Sequence, residues 1–138
     1  GTAVRASSSV PGVFQPVAIR GREYVDGGLV SPVPVRFAQE MGATFVIAVD
    51  ISNKPQASKT KSSLDILMQT FAIMGQSLNR SELPLADVVI RPDISQLAST
   101  DFKTRHLAVL EGEKAAAQAL PTLKAKLDRL QAPGPRAN

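Results

Sequence analysis

The clearest pattern along the chain is a nearly continuous apolar run over residues 44–49, which ends in Asp50. A run of this kind, without polar alternation, is typical of a strand buried on both faces of a parallel sheet. A helical pattern over Pro34 to Met41 precedes it, and Gly42 is well placed to end that helix. The succession of a helix, a glycine, an apolar strand and a polar end predicts an α/β fold.

Shorter patterns flank this segment on both sides. Residues 86–90 predict a second strand, stopped by Arg91-Pro92, and residues 23–25 predict a short strand that runs into a turn at residues 26–28. Residues 13–19 are apolar but contain Pro16, which favours an edge strand or an irregular segment. Residues 3–9 predict a short helix that Pro11-Gly12 stops.

Two long helices are predicted in the second half of the chain. Ser62 is expected to cap the first, with Asp65 in its first turn, after a polar loop over residues 52–62. Its apolar face comprises Leu64, Leu67, Met68, Phe71, Gly75 and Leu78. Thr100 or Asp101 caps a final helical region that Pro121 is expected to split near Leu120. The last piece presents Leu120, Leu123, Leu127 and Leu130 on one face.

These elements give two or three strands and four helices, which make only a thin sheet. Parallel sheets are covered on both faces, so further strands are expected upstream of Gly1. The chain is therefore interpreted as an incomplete α/β sheet with flanking helices. It comprises a domain part over residues 1–131 and a disordered tail over residues 132–138, which contains two prolines.

The amino-acid composition limits the kinds of site that the chain can form. The 138 residues suffice for one domain, and the absence of cysteine excludes disulfides and thiol ligands. The net charge of +4 includes a cluster at Lys54, Lys59 and Lys61, which is interpreted either as a solvated loop or as a patch for anionic lipid headgroups or nucleic acid. The single Tyr and the absence of Trp argue against a base-stacking surface, so no nucleic-acid partner is predicted.

One constellation of motifs carries chemical meaning. It begins with Arg5-Ala6-Ser7-Ser8-Ser9-Val10-Pro11-Gly12-Val13-Phe14-Gln15-Pro16 and continues with Asp26-Gly27-Gly28 and the loop Ser31-Pro32-Val33-Pro34. Residues 42–50, residues 87–92 and Asp101-Phe102 follow in order. Together they resemble the patatin-like phospholipase family, and bacterial members related to the neuropathy-target-esterase group look most similar. The resemblance covers about residues 3–120.

This resemblance implies a patatin-like acyl hydrolase fold and a Ser-Asp dyad. The aspartate of the D-G-G motif is the partner of the nucleophilic serine, and in this sequence it is Asp26. A serine hydroxyl is a weak nucleophile that needs a base within hydrogen-bond reach, and here a carboxylate replaces the imidazole of a triad. Gly27 and Gly28 are expected to accept positive φ in a tight turn. The resemblance places Pro11 and Phe14 near the acyl pocket, and neither a cofactor nor a metal is required.

The chain departs from the family in one respect. It contains no G-x-S-x-G and no glycine-rich oxyanion loop, both of which precede the R-A-S segment in the family. The similar string at residues 75–79 has Asn79 in place of the second glycine and lies inside a predicted helix. We therefore expect a truncated part of a longer lipid esterase, inactive by itself and prone to self-association. Cytoplasmic or peripheral membrane localisation is favoured.

Each candidate residue also has a structural interpretation. The Asp26 motif alone would be a hairpin turn, and Ser7, Ser8 and Ser9 are read as polar cap and loop residues rather than nucleophiles. Arg5 is read as pairing with a carboxylate in the core, in preference to a lipid headgroup. His106 is read as structural rather than as part of a triad, and Asp50 as either functional or tied into local hydrogen bonds. The rival function is a non-catalytic regulatory or interaction module on the same fold.

Overall fold

The computed structural model describes residues 1–52, 62–95, 97 and 102–131, which form two compact units. The first unit comprises residues 1–34 and 52–82, and the second comprises residues 35–51 and the chain from residue 83. Several predictions lie outside the described residues: the loop with Lys54, Lys59 and Lys61, the helix cap at Thr100 or Asp101, and the tail from residue 132. No helix in the described ranges is long and apolar enough to cross a membrane.

The first unit contains two α-helices and a β-hairpin. Helix α1 spans Thr2–Ser7, strands β1 and β2 span Val17–Ile19 and Arg22–Tyr24, and a short 3₁₀ helix spans Gly27–Leu29. The strands pair antiparallel, with Val17 opposite Tyr24, and Arg20 and Gly21 both take positive φ in the connecting turn. A two-residue turn of this kind matches the twist of a hairpin. The predicted edge strand before the turn therefore pairs with the strand before Asp26.

The third helix, α3, spans Ser63–Glu82 in the same unit. Its first turn confirms the predicted cap, because the Ser62 hydroxyl accepts a hydrogen bond from the Asp65 amide at 3.1 Å. The predicted apolar face is half-buried from Leu67 to Leu78. The buried residues of the helix are instead Asn79 and Glu82, which are polar. This helix therefore presents a polar buried surface near its C-terminal end.

The second unit contains helix α2 at Val35–Glu40, strand β3 at Ile47–Val49, a 3₁₀ turn at Leu83–Leu85 and strand β4 at Val88–Ile90. The end of α2 confirms the role predicted for Gly42, whose φ is +97°. The amides of Gly42 and Ala43 donate to the carbonyls of Gln39 and Ala38 at 2.9 and 3.0 Å, which is a Schellman termination.

Strands β3 and β4 form the predicted parallel pair, with Ala48 opposite Val89. Ala48 is buried, whereas Ile47 and Val49 are exposed. Because successive side chains of a strand point to opposite faces, one face of β3 is covered and the other is not. The expectation of burial on both faces is therefore wrong for the chain as described.

Asp87 fixes the start of this pair. Its carboxylate Oδ2 accepts a hydrogen bond from the Val46 amide at 2.8 Å, and its own amide donates to the Val46 carbonyl at 2.9 Å. The Lys126 ammonium, on the last helix, donates to the Asp87 carbonyl at 2.5 Å. These contacts tie the last helix to the beginning of β4.

The last helix, α4, spans Arg105–Gln131 without interruption and contains Pro121. The predicted split at this proline is wrong. Proline removes one intrahelical donor, and the carbonyl it would otherwise bond belongs to residue 117. Ala117 and Pro121 are both exposed, so water can solvate the freed carbonyl and the helix continues.

Candidate active site

Asp26 lies between β2 and the 3₁₀ helix Gly27–Leu29, for which it is the N-cap. Asp26 is half-buried as a whole residue, and its Oδ1 accepts an exposed hydrogen bond from the Gly28 amide at 2.7 Å. A charge-assisted bond of this length is among the stronger hydrogen bonds in proteins. The backbone that follows Asp26 therefore holds its carboxylate in one orientation.

Ser9 joins the two motif segments. Its carbonyl accepts a hydrogen bond from the Asp26 amide at 3.0 Å, and its side chain is 3% exposed. The Ser9 hydroxyl turns back and donates to the Arg5 carbonyl at 2.8 Å. The R-A-S segment consequently supplies a fixed acceptor for the backbone of the D-G-G segment.

The backbone conformation of the two motif glycines differs from the one predicted from the sequence. Neither Gly27 nor Gly28 has positive φ, so the predicted left-handed turn is wrong. The segment instead forms a 3₁₀ turn, in which φ is negative. A Cβ at Gly28 would lie 3.0 Å from Asp26 Oδ1, whereas a Cβ at Gly27 would meet nothing within 4 Å. A side chain at Gly28 would therefore require the carboxylate to shift by a few tenths of an ångström.

Helix α3 supports both motif segments. A Cβ at Gly12 would lie 2.9 Å from Leu67 Cδ2, and a Cβ at Gly75 would lie 3.3 Å from Pro32 Cγ. The turn after α1 thus packs against the second turn of α3, and the loop after Asp26 packs further along the same helix. The short string at residues 75–79 lies inside α3, as predicted.

The predicted pocket residues differ in exposure. Pro11 is half-buried, and Phe14 is 61% exposed. Both belong to the turn that follows α1, where the Val10 carbonyl accepts hydrogen bonds from the amides of Val13 and Phe14. Their contact with an acyl chain stays a prediction.

The hydroxyls of the serine run point to local backbone acceptors. Ser8 Oγ donates to the Val4 carbonyl at 3.1 Å, as Ser9 Oγ does to Arg5. These bonds support the interpretation of Ser8 and Ser9 as helix-end residues. Ser7 is the last residue of α1 and is exposed.

Three other candidates occupy ordinary structural environments. Asp50 forms an ion pair with Arg91, with 3.3 Å between Oδ2 and Nε, which supports its local interpretation. Arg5 is exposed, so the expected pairing in the core is wrong. His106 is exposed in the first turn of α4 and is not part of the buried core. Among the described residues, no group of three or more His, Cys, Asp or Glu side chains could hold a metal ion.

The sequence patterns missed three buried polar side chains of the first unit: Ser31, Asn79 and Glu82. Ser31 lies in the loop after the D-G-G motif, and the other two lie on α3. The available signal for Asn79 was its spacing, because it lies four residues after Gly75, which belongs to the predicted apolar face.

Comparison with known proteins links these segments to one family. Residues 2–38 match the family model described as patatin-like phospholipase. A Mycobacterium tuberculosis protein named as an uncharacterised NTE family protein is 29% identical over 143 aligned residues, which cover 86% of this chain and 24% of that protein. Lysophospholipase NTE1 of Scheffersomyces stipitis is 38% identical over 50 residues, or 36% of this chain and 3% of that protein. The chain thus spans about a quarter of the length of the mycobacterial relative.

Proposed function

We propose that this chain forms part of a serine acyl hydrolase that cleaves an ester bond of a lipid or lysophospholipid. Its residues 2–38 match the patatin-like phospholipase model, and similar proteins are named as NTE family proteins and lysophospholipase NTE1. The observation that carries the proposal is the position of Asp26. It lies inside the matched segment, and its carboxylate is oriented by the Gly28 amide. A carboxylate held in this way suits the role of a general base.

In the proposed reaction, a serine from another segment of the full-length protein attacks the acyl carbonyl carbon of the ester. The serine proton passes to Asp26, and we assign the accepting role to Oδ2 because Gly28 engages Oδ1. The carbon–oxygen bond to the leaving alcohol then breaks, and that alcohol takes the proton from Asp26. Water hydrolyses the acyl-serine with the same carboxylate as base, which releases the fatty acid and restores the serine.

The oxyanion of the tetrahedral intermediate also needs hydrogen-bond donors. We assign this role to backbone amides of a glycine-rich segment, which this chain does not contain. The isolated chain, which also has no G-x-S-x-G, is accordingly proposed to be inactive. No metal or cofactor enters the proposed steps.

Exposed apolar side chains support two further parts of the proposal. Val13, Phe14 and Val30 are exposed in the first unit, and Ile47 and Val49 are exposed in the second. Exposed apolar surface favours association with another protein surface or with a membrane. We propose that the isolated chain self-associates and that the full-length protein contacts its lipid substrate at a membrane surface. Size-exclusion chromatography of the isolated chain tests the first part, and a monodisperse monomer would contradict it.

Fluorophosphonate labelling of the full-length protein, followed by peptide mapping, tests the hydrolase proposal. One serine outside this chain is expected to react, and Asp26→Asn is expected to slow its labelling by roughly 10²-fold or more. Glu23→Gln is the matched control, because Glu23 is an exposed carboxylate on the neighbouring strand. If no serine reacts in folded protein, the hydrolase proposal fails and the non-catalytic module takes its place.

A further inference from the structure

The buried interior of the first unit is unusually polar. Of the side chains buried there, only Ala6 and Val17 are apolar among the described residues. The polar ones are Ser9, Ser31, Asn79 and Glu82. Buried polar groups are costly unless they are hydrogen-bonded, so a polar interior in a small unit calls for a specific role.

Helix α3 packs against the loop that follows Asp26, and two of these side chains belong to these two segments. The close approach of Gly75 to Pro32 marks this contact, with 3.3 Å between Pro32 Cγ and an added Cβ. Asn79 lies one helical turn after Gly75 and therefore on the same side of α3. Ser31 directly precedes Pro32 in the loop. Ser31 and Asn79 thus lie next to this contact, one along the loop and the other along the helix.

Their hydrogen-bonding capacities complement each other. The Asn79 amide donates from Nδ2 to Ser52 Oγ at 2.7 Å, which directs one end of the amide group. Within the described part of the chain, Asn79 Oδ1 and Ser31 Oγ are both buried without a hydrogen-bond partner. Ser31 and Asn79 are 6% and 4% exposed. One atom is an acceptor and the other carries a donor proton.

We propose that Ser31 and Asn79 are positioning residues for Asp26: the Ser31 hydroxyl donates to Asn79 Oδ1 when the loop takes its catalytic position. This inference rests on the proposed role of Asp26 as the base. Hydrogen bonds in active sites are often unmade in the free enzyme and tighten when substrate is bound. The bond joins the loop to helix α3. Because the 3₁₀ helix Gly27–Leu29 connects Asp26 to this loop, fixing Ser31 also restricts the position of Asp26.

A double-mutant cycle in the full-length protein tests the pair. Ser31→Ala and Asn79→Ala are each expected to lower the serine labelling rate and kcat about tenfold with KM unchanged, because the transition state loses a positioned base. The double variant is expected to react no more slowly than either single variant, since both remove one shared bond. Ser31→Thr keeps the hydroxyl and is expected to restore kcat. Ser77→Ala, at an exposed position of the same helix, is the control for changes to α3.

The outcomes separate this inference from the proposed function. If Asp26→Asn abolishes labelling while Ser31→Ala reacts like the unmodified protein, the positioning role is wrong and the dyad stands. Additive losses in the double variant, or failure of Ser31→Thr to restore kcat, also overturn the pairing. If Asp26→Asn reacts normally, the proposed function itself fails. Should Asn79→Ala not fold, the comparison of Ser31→Ala with Ser31→Thr decides the question.

Discussion

Gly28 lies against the carboxylate of Asp26: its amide nitrogen is 2.7 Å from Oδ1, and an added Cβ would be 3.0 Å from the same oxygen. Real Cβ atoms rarely approach a neighbour so closely, so the carboxylate would have to move if residue 28 carried a side chain. The glycine thus leaves room for the same carboxylate that its backbone orients. Gly28 therefore contacts the carboxylate directly, whereas an added Cβ at Gly27 would meet nothing within 4 Å.

The first prediction compares the two glycines. Gly28→Ala is expected to displace the Asp26 carboxylate and slow serine labelling in the full-length protein by about tenfold, because even a small displacement of the proposed base is costly. Gly27→Ala is expected to retain most of the reactivity, since nothing lies within 4 Å of its added Cβ. Equal losses in the two variants would contradict this explanation of the motif.

The helix ends and the parallel strands could be predicted from residues that are close together in the sequence. Ser62 and Gly42 were identified as helix ends because capping depends on residues within a few positions of each other. The paired strands β3 and β4 followed from their apolar composition. The hairpin turn was missed, because Arg20 takes positive φ, which is uncommon for a residue with a side chain.

The remaining errors share a physical cause. Sequence patterns describe neighbours along the chain, whereas exposure and packing depend on contacts distant in sequence. Pro121 was expected to break a helix, but the carbonyl of Ala117 that it leaves without an intrahelical donor is exposed, so water can hydrogen-bond to it. Asn79 and Ser31 were missed as buried polar residues, since burial depends on packing that adjacent residues in the sequence do not reveal. The role proposed for Asp26 rests on the family resemblance and not on its spacing alone.

The second prediction concerns the start of the parallel pair. Asp87→Ala removes the acceptor for the Val46 amide, a partly buried hydrogen bond of 2.8 Å. Leaving that donor without a partner is expected to lower the free energy of unfolding by about 1–3 kcal/mol. Asp87→Asn retains an acceptor oxygen and is expected to lose less. Urea denaturation of the full-length protein measures both values, and equal losses would mean that the charge of Asp87, not its acceptor, stabilises the pair.

The third prediction tests the packing of the turn after α1. Gly12 has φ of +82°, and its added Cβ would lie 2.9 Å from Leu67 Cδ2. Gly12→Ala is expected to cost about 1–2 kcal/mol from the left-handed backbone, with a further cost from the contact with Leu67. Gly21→Ala isolates the backbone term, because Gly21 has φ of +77° and nothing within 4 Å of its Cβ. A Gly12 variant no less stable than the Gly21 variant would show that Leu67 moves aside without cost.

The fourth prediction uses the proline inside α4. Pro121→Ala restores an intrahelical donor at an exposed position, where proline is about 3 kcal/mol less favourable than alanine. Proline also restricts the unfolded chain, which offsets roughly 0.4–1 kcal/mol of that difference. We therefore expect the free energy of unfolding to rise by about 1–3 kcal/mol in denaturant titrations of the full-length protein. Thr122→Ala, at the adjacent exposed position, is the control and is expected to gain only a few tenths. A fall in stability on replacing Pro121 would instead mean that its ring makes a stabilising contact, and that the helix continues through the proline because of that contact rather than because water satisfies the freed carbonyl.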